Sequence, residues 1–244
     1  MKLSRLIPLC AVASAFCACS STQVKAPEAL LPVPEQKQVD WQKMETYAFI
    51  HFGLNTFNDR EWGYGDTDPK TFNPTRLNCE QWAQTLVNAG MKGVILTAKH
   101  HDGFCMFKTA TTDFNSFDAT PCHRDFVKEL ADACQRGGVR LGLYYSIIDW
   151  HYPYGHPISS HNCDFVTPEH HKFSKQQVTE LLTNYGPISE LWFDMGSNTP
   201  EQSRELYQLV HELQPDCMVS GRVGNDQYDF AVMGDNSYPE GALQ

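Results

Sequence analysis

The sequence has no dense run of lysine and arginine. Acidic residues outnumber basic ones, 29 to 19, and the formal net charge is −10. Nucleic acid is thereby disfavoured as a partner, because it calls for a clustered basic footprint. The cysteines show no zinc-type spacing. A glycine-rich phosphate loop is also missing: His51-Phe52-Gly53-Leu54-Asn55 does not fit G-x-G-x-x-G, which a dinucleotide-binding sheet carries after its first strand. The apolar stretch Leu6 to Phe16 is too short to span a bilayer as a stable helix. What the chain does have is aromatic side chains, 12% of all residues. An aromatic-rich, mildly acidic surface suits neutral polar ligands such as sugars.

Residues 1–19 read as an export signal. Lys2 and Arg5 form a positive start, an apolar stretch follows, and small residues close it. The Ala18-Cys19 step resembles a bacterial lipobox, with Cys19 as the lipidated residue, although Phe16 replaces the usual leucine. The expectation is an exported protein, periplasmic or on the outer membrane, touching the membrane only through its lipid. Residues 20–40, with Pro27, Pro32 and Pro34, read as a tether. Six cysteines remain beyond the signal: Cys79, Cys105, Cys122, Cys134, Cys163 and Cys217. Export permits disulfides, but small buried thiols are the simpler expectation.

From Trp41 onward, strand and helix signals alternate. Expected strands are Ala48–Leu54, Gly93–Lys99, Val139–Ser146, Glu190–Asp194 and Cys217–Ser220, with Phe230–Met233 as a sixth candidate. Helices are expected from start signals at Asn78, Thr167 and Thr199, the last two followed by Pro-Glu, and from about Asp125 to Arg136. Glycine stops stand at Gly90, Gly137-Gly138 and Gly186. This is the pattern of βα units around a parallel sheet, so the fold class is α/β. Loops after strands are long and connections after helices short. A (β/α)8 TIM-like barrel shows that asymmetry when its active site lies at the C-terminal ends of its strands; a doubly wound open sheet is the alternative. Eight strands need roughly 250 residues. The expectation for residues 41–244 is therefore an incomplete barrel of about six strands, a chain that stops inside its catalytic domain.

Polar groups gather at the strand ends. His51 falls in the first expected strand, His100 and His101 after the second, Tyr144 in the third, Trp192 and Asp194 in the fourth, and Arg222 after the fifth. Each alone has a structural explanation; together they outline one rim. Metal ligation is the weaker reading, since adjacent histidines on a strand point to opposite faces and the first strand lacks His-X-His. Both histidines reach one pocket only where the strand breaks into loop. In a sugar site, histidines and arginine bond hydroxyls, and Trp62, Trp192 and the tyrosines offer apolar faces. A strand-end carboxylate then becomes a nucleophile, with a second acid about 5 Å away in a retaining glycosidase.

The motifs Ile50-His51-Phe52-Gly53-Leu54, Glu61-Trp62, Lys99-His100-His101-Asp102-Gly103-Phe104, Leu143-Tyr144-Tyr145-Ser146, Leu191-Trp192-Phe193-Asp194 and Gly221-Arg222, in this order, resemble the α-L-fucosidases of glycoside hydrolase family 29. The likeness covers nearly the whole chain from Trp41. It implies a bacterial retaining exo-α-L-fucosidase without metal or other cofactor, acting on fucosylated oligosaccharides or glycoconjugates. It also implies Asp194 as nucleophile and a fucose pocket of His51, Glu61, Trp62, His100, His101, Tyr144, Trp192 and Arg222. Gly234-Asp235-Asn236 resembles the branch that prefers α-1,3/1,4-linked fucose. In that branch the acid/base glutamate comes later in the chain, expected beyond Gln244; Glu240 reads as a loop residue. A non-catalytic fucose-binding lipoprotein is the alternative, a metal-dependent barrel hydrolase the more distant one.

Overall fold

The computed structural model describes residues 27–151, 165–195, 197–232 and 234. Cys19 and the signal, Cys163, Gly196, Met233, Asp235-Asn236 and Glu240 lie outside the described residues. Residues 27–33 separate from the body that begins at Pro34 and contain no helix or strand.

The body is built on five parallel strands in the order β1-β2-β3-β4-β5. They are β1 (Tyr47–Ile50), β2 (Gly93–Lys99), β3 (Arg140–Ser146), β4 (Glu190–Asp194) and β5 (Met218–Val219). Sequential order with every strand parallel departs from the doubly wound alternative, whose order reverses at a switch point. The expected α/β class with a parallel sheet is observed. Phe230, which begins the sixth candidate strand, makes a single parallel bridge to Ser220.

Helices return the chain between strands. After α1 (Gln36–Gln42) and α2 (Leu54–Phe57) come α3 (Cys79–Asn88), α4 (Phe126–Gly137), α5 (Pro168–Asn184) and α6 (Pro200–Leu213). The three expected start signals act as caps, and Asp125 caps its helix as well. Asn78 accepts from the amides of Glu80 and Gln81, Asp125 from Lys128, Thr167 from His170 and Thr199 from Gln202. Gly138 closes α4 at φ +69, a left-handed conformation that glycine adopts without steric cost. Among the described residues no helix is long and apolar enough to cross a membrane.

Three boundaries differ from expectation. β1 ends at Ile50, so His51 stands one residue beyond it; the chain turns at Gly53 into α2 instead of continuing to Leu54. The Thr97 hydroxyl donates to the Ile50 carbonyl at 3.2 Å, binding this end of β1 to β2. β5 is only two residues long, and Ser220 leads into a 3-10 turn over Gly221–Val223. The expected tether contains α1, tied down by Lys37 on Asp229 at 2.9 Å and by the Trp41 indole N–H on Glu190 Oε2 at 2.7 Å. The five described cysteines are free thiols, four of them buried.

The apolar core fills the space between sheet and helices. Leu96, Leu143, Tyr145, Leu191 and Phe193 are fully buried there. Period-two alternation sends their neighbours to the other face, where Phe49, Tyr144 and Trp192 meet edge-on. Gly142 is needed on this inner face: a Cβ there would lie 3.0 Å from Ile95 and 3.2 Å from Glu190. Glu190 opens β4 almost without exposure, and burial pushes its carboxyl up to about 7 against the Trp41 hydrogen bond. A folded-state value above the unfolded one contributes stability that is present in acid and is lost as pH rises toward 7. Glu190→Gln is therefore expected to leave thermal stability nearly unchanged at pH 4.5 and to raise it at pH 8, by up to about 3 kcal/mol. Melting curves at the two pH values check this; a variant less stable than wild type at pH 8 contradicts it.

Candidate active site

Asp194, the last residue of β4, is held by three donors. Arg222 Nη1 donates to Oδ1 at 2.8 Å, and the Met195 amide to the same oxygen at 2.9 Å. The Tyr144 hydroxyl donates to Oδ2 at 2.6 Å. Strand register produces the Tyr144 contact. Tyr144 pairs with Trp192 and Ser146 with Asp194, so these side chains share one face at successive levels. Met195 itself has a φ of +54, a conformation uncommon for a non-glycine residue, directly after the carboxylate that its amide binds.

The histidines complete the rim. β2 and β3 stay in register as far as Thr97 and Tyr144, then shift, so that Lys99 pairs with Tyr145. The irregularity takes Lys99 away from the inner face, and the strand ends directly before His100. Both histidines therefore sit where strand has become loop, and both reach the site. His101 Nε2 lies 4.0 Å from Asp194 Oδ2. His100 packs on Tyr144 with centroids 5.7 Å apart, and His51 meets His100 at 4.8 Å. Burial lowers the pKa of all three rings. For His101, burial followed by the charges of His51, Lys99 and Arg222 takes it down to about 3. Near neutral pH each imidazole is uncharged and offers one N–H donor and one lone-pair acceptor. That set matches hydroxyl groups, which both donate and accept, better than it matches an anion.

The remaining predicted residues lie further out. Glu61 lines a small cleft with His51, Asn55, Thr97, His100 and Asp102. Its carboxylate, after that of Asp194, favours the charged form of His51. Trp62 is 37% exposed at the surface. Trp192 is half-buried and presents its edge to Phe49 at 5.6 Å. A larger cleft of about 1090 Å³ lies at the opposite end, near the starts of β3, β4 and β5, and holds none of these residues. Among the described residues no group of three His, Cys, Asp or Glu side chains is placed to hold a metal ion. Asp102, within the Lys99–Phe104 motif, carries no functional signal of its own in the sequence. It is buried beneath the cleft, and burial pushes its carboxyl up to about 7 despite the Phe104 amide. Two further participants carried no role in the sequence, Ser146 under His101 and Asp149 beside Lys99. Ser146 was detectable as the residue two beyond Tyr144 on the same face. Asp149 lies in a loop, where no periodicity points to it.

A family model described as alpha-L-fucosidase matches residues 25–243. The chain belongs to the alpha-L-fucosidase family. Within it, the chain is 41% identical over 207 residues to alpha-L-fucosidase 1 of Arabidopsis thaliana, covering 82% of this chain and 39% of that one. Two solved structures of the family superpose well. A glycoside hydrolase 29 family member from an unknown rumen bacterium gives a TM-score of 0.73 at 40% identity, covering 82% of this chain and 38% of that one. The alpha-L-fucosidase AlfC from Lactobacillus casei, in complex with its α-L-fucose product, gives 0.70 at 32% identity, covering 82% and 76%. The chain thus spans about two fifths of the length of the plant relative.

Proposed function

We propose that this family member is a retaining exo-α-L-fucosidase that releases terminal α-L-fucose from fucosylated glycans by double displacement. The observation that carries this reading is the carboxylate of Asp194 at a strand end, fixed by Arg222, Tyr144 and the Met195 amide within a wall of neutral imidazoles. Asp194 Oδ1 takes two donors and Oδ2 one. Oδ2 therefore keeps the freer lone pair and is the oxygen that attacks C1 in the first step, while the glycosidic C1–O bond breaks and the aglycone departs on its oxygen. Water then displaces the fucosyl group from Asp194, and two inversions give net retention. His51, Glu61, Trp62, His100, His101, Tyr144, Trp192 and Arg222 line the fucose pocket on this reading, the polar members on hydroxyls and the aromatic ones on the apolar ring face. The acid that protonates the leaving group is assigned to no described residue.

The same proposal extends to the rest of the chain. Residues 1–19 direct export and Cys19 carries lipid in a bacterial envelope, while the five parallel strands form part of a (β/α)8 barrel whose C-terminal rim holds the site. The Gly234-Asp235-Asn236 segment favours α-1,3/1,4-linked fucose.

Stereochemistry is the test. An aryl α-L-fucoside, whose good leaving group needs little acid assistance, is hydrolysed while proton NMR follows the anomeric signals. The α-anomer of fucose is expected first, with β appearing only by mutarotation. β-Fucose as the first product overturns the double displacement, and fucose binding without hydrolysis selects the non-catalytic alternative.

A further inference from the structure

The hydroxyl of Ser146 lies beneath the histidine nearest the carboxylate. Ser146 is fully buried at the end of β3. Its Oγ is 2.8 Å from His101 Nδ1 and 2.9 Å from the Ile148 carbonyl oxygen. A serine hydroxyl has a single proton. A carbonyl oxygen only accepts, so the proton in the 2.9 Å contact must come from Ser146. Were that proton turned toward His101 instead, Oγ and the carbonyl oxygen would face each other at 2.9 Å with no hydrogen between them. Lys99 Nζ, 3.4 Å from the same carbonyl, adds positive charge that holds the oxygen as an acceptor. The proton between Ser146 and His101 is then supplied by the ring.

We propose that Ser146 is a positioning residue that fixes His101 as its Nδ1–H tautomer, so that Nε2 presents a lone pair toward Asp194 and the pocket takes a ligand hydroxyl as donor there. The relay runs from His101 Nδ1–H to Ser146 Oγ–H to the Ile148 carbonyl. A ring fixed this way selects for a donor, so a sugar with an oxo or O-methyl group at that position loses its bond. Buried imidazoles of this kind depend on the partner of their second nitrogen for both tautomer and orientation. The chemical consequence for the sugar rests on the fucosidase reading; the tautomer does not.

Long-range proton–nitrogen NMR of the protein with labelled histidine reads the tautomer without any substrate. The expected result is a protonated Nδ1 and an unprotonated Nε2 for His101, and a protonated Nε2 in the wild-type protein overturns the proposal. Ser146→Ala is expected to mix the two tautomers and to lower kcat/KM on an aryl α-L-fucoside by roughly 10- to 100-fold, with a melting temperature lowered by only about 2–10 °C, so that the protein stays folded. Ser146→Thr, which keeps the hydroxyl, restores both the tautomer and the rate. A Ser146→Ala protein that loses activity with His101 unchanged in tautomer refutes the positioning role. So does one that mixes tautomers yet keeps full activity. If the wild-type protein hydrolyses no fucoside, the function is at fault, and the NMR result still decides the tautomer.

Discussion

Asp194→Asn is expected to lower kcat on an aryl α-L-fucoside by roughly 10³-fold or more, equivalent to about 4 kcal/mol of transition-state stabilisation. The amide is isosteric with the carboxylate but is a poor nucleophile toward an anomeric carbon. The geometry also says how the variant stays folded. The oxygen of Asn remains at the Oδ1 position, because Arg222 and the Met195 amide both donate there and an NH2 group cannot accept. The NH2 group then takes the Oδ2 position, where the Tyr144 hydroxyl, 2.6 Å away in the native protein, turns its lone pair to it. Fucose binding, measured by calorimetry, should persist within about tenfold, since the ring contacts are untouched. Azide provides a stricter check. In Asp194→Gly it enters the vacated space, attacks C1 from the nucleophile's side and yields β-L-fucosyl azide. Turnover of Asp194→Asn within tenfold of wild type would remove Asp194 from the nucleophile's role.

The reasons why Asp194 was legible in the sequence are physical. A buried apolar run that ends in a carboxylate is costly unless the carboxylate is paired or used, and Leu191-Trp192-Phe193-Asp194 is such a run. The helix caps were equally legible at Asn78, Thr167 and Thr199, because each satisfies amides that are orphaned within a few residues in sequence. Failures came where a tertiary contact decides. His51 looks like part of a strand by local pattern, but β1 stops at Ile50 and the chain turns into α2. The shift between Thr97 and Lys99 is a property of two strands at once, and neither alone predicts it. It nevertheless answers the objection that adjacent histidines cannot share a pocket, since β2 ends before both. Residues 36–40 look like tether because the burial partners of the helix they begin, Asp229 and Glu190, lie far along the chain.

Lys99→Met is expected to destabilise the protein by about 3–5 kcal/mol, the cost of leaving one member of a buried pair without its opposite charge. For a domain of this size the melting temperature should fall by roughly 6–20 °C. Lys99 is fully buried, with Nζ 3.4 Å from Asp149 Oδ2 and 4.6 Å above the Tyr145 ring. Burial alone would drive the ammonium toward neutrality; Tyr145 and Asp149 outweigh it, and the net direction is upward. Methionine fills the space but leaves Asp149, itself 1% exposed, without this cation. Lys99→Met combined with Asp149→Asn removes both charges and keeps an acceptor for the His151 amide, which donates to Asp149 Oδ1 at 3.0 Å. The double variant should regain most of the lost stability, whereas a single variant that melts within about 2 °C of wild type would show the pair to be energetically idle. The effect reaches the site through two routes. Lys99 shares the Ile148 carbonyl with Ser146, and its charge is among the causes that depress the pKa of His101. The register shift that buries Lys99 therefore does two things at once: it ends β2 where His100 and His101 enter the rim, and it sets a fixed cation behind the imidazole that must stay neutral beside Asp194.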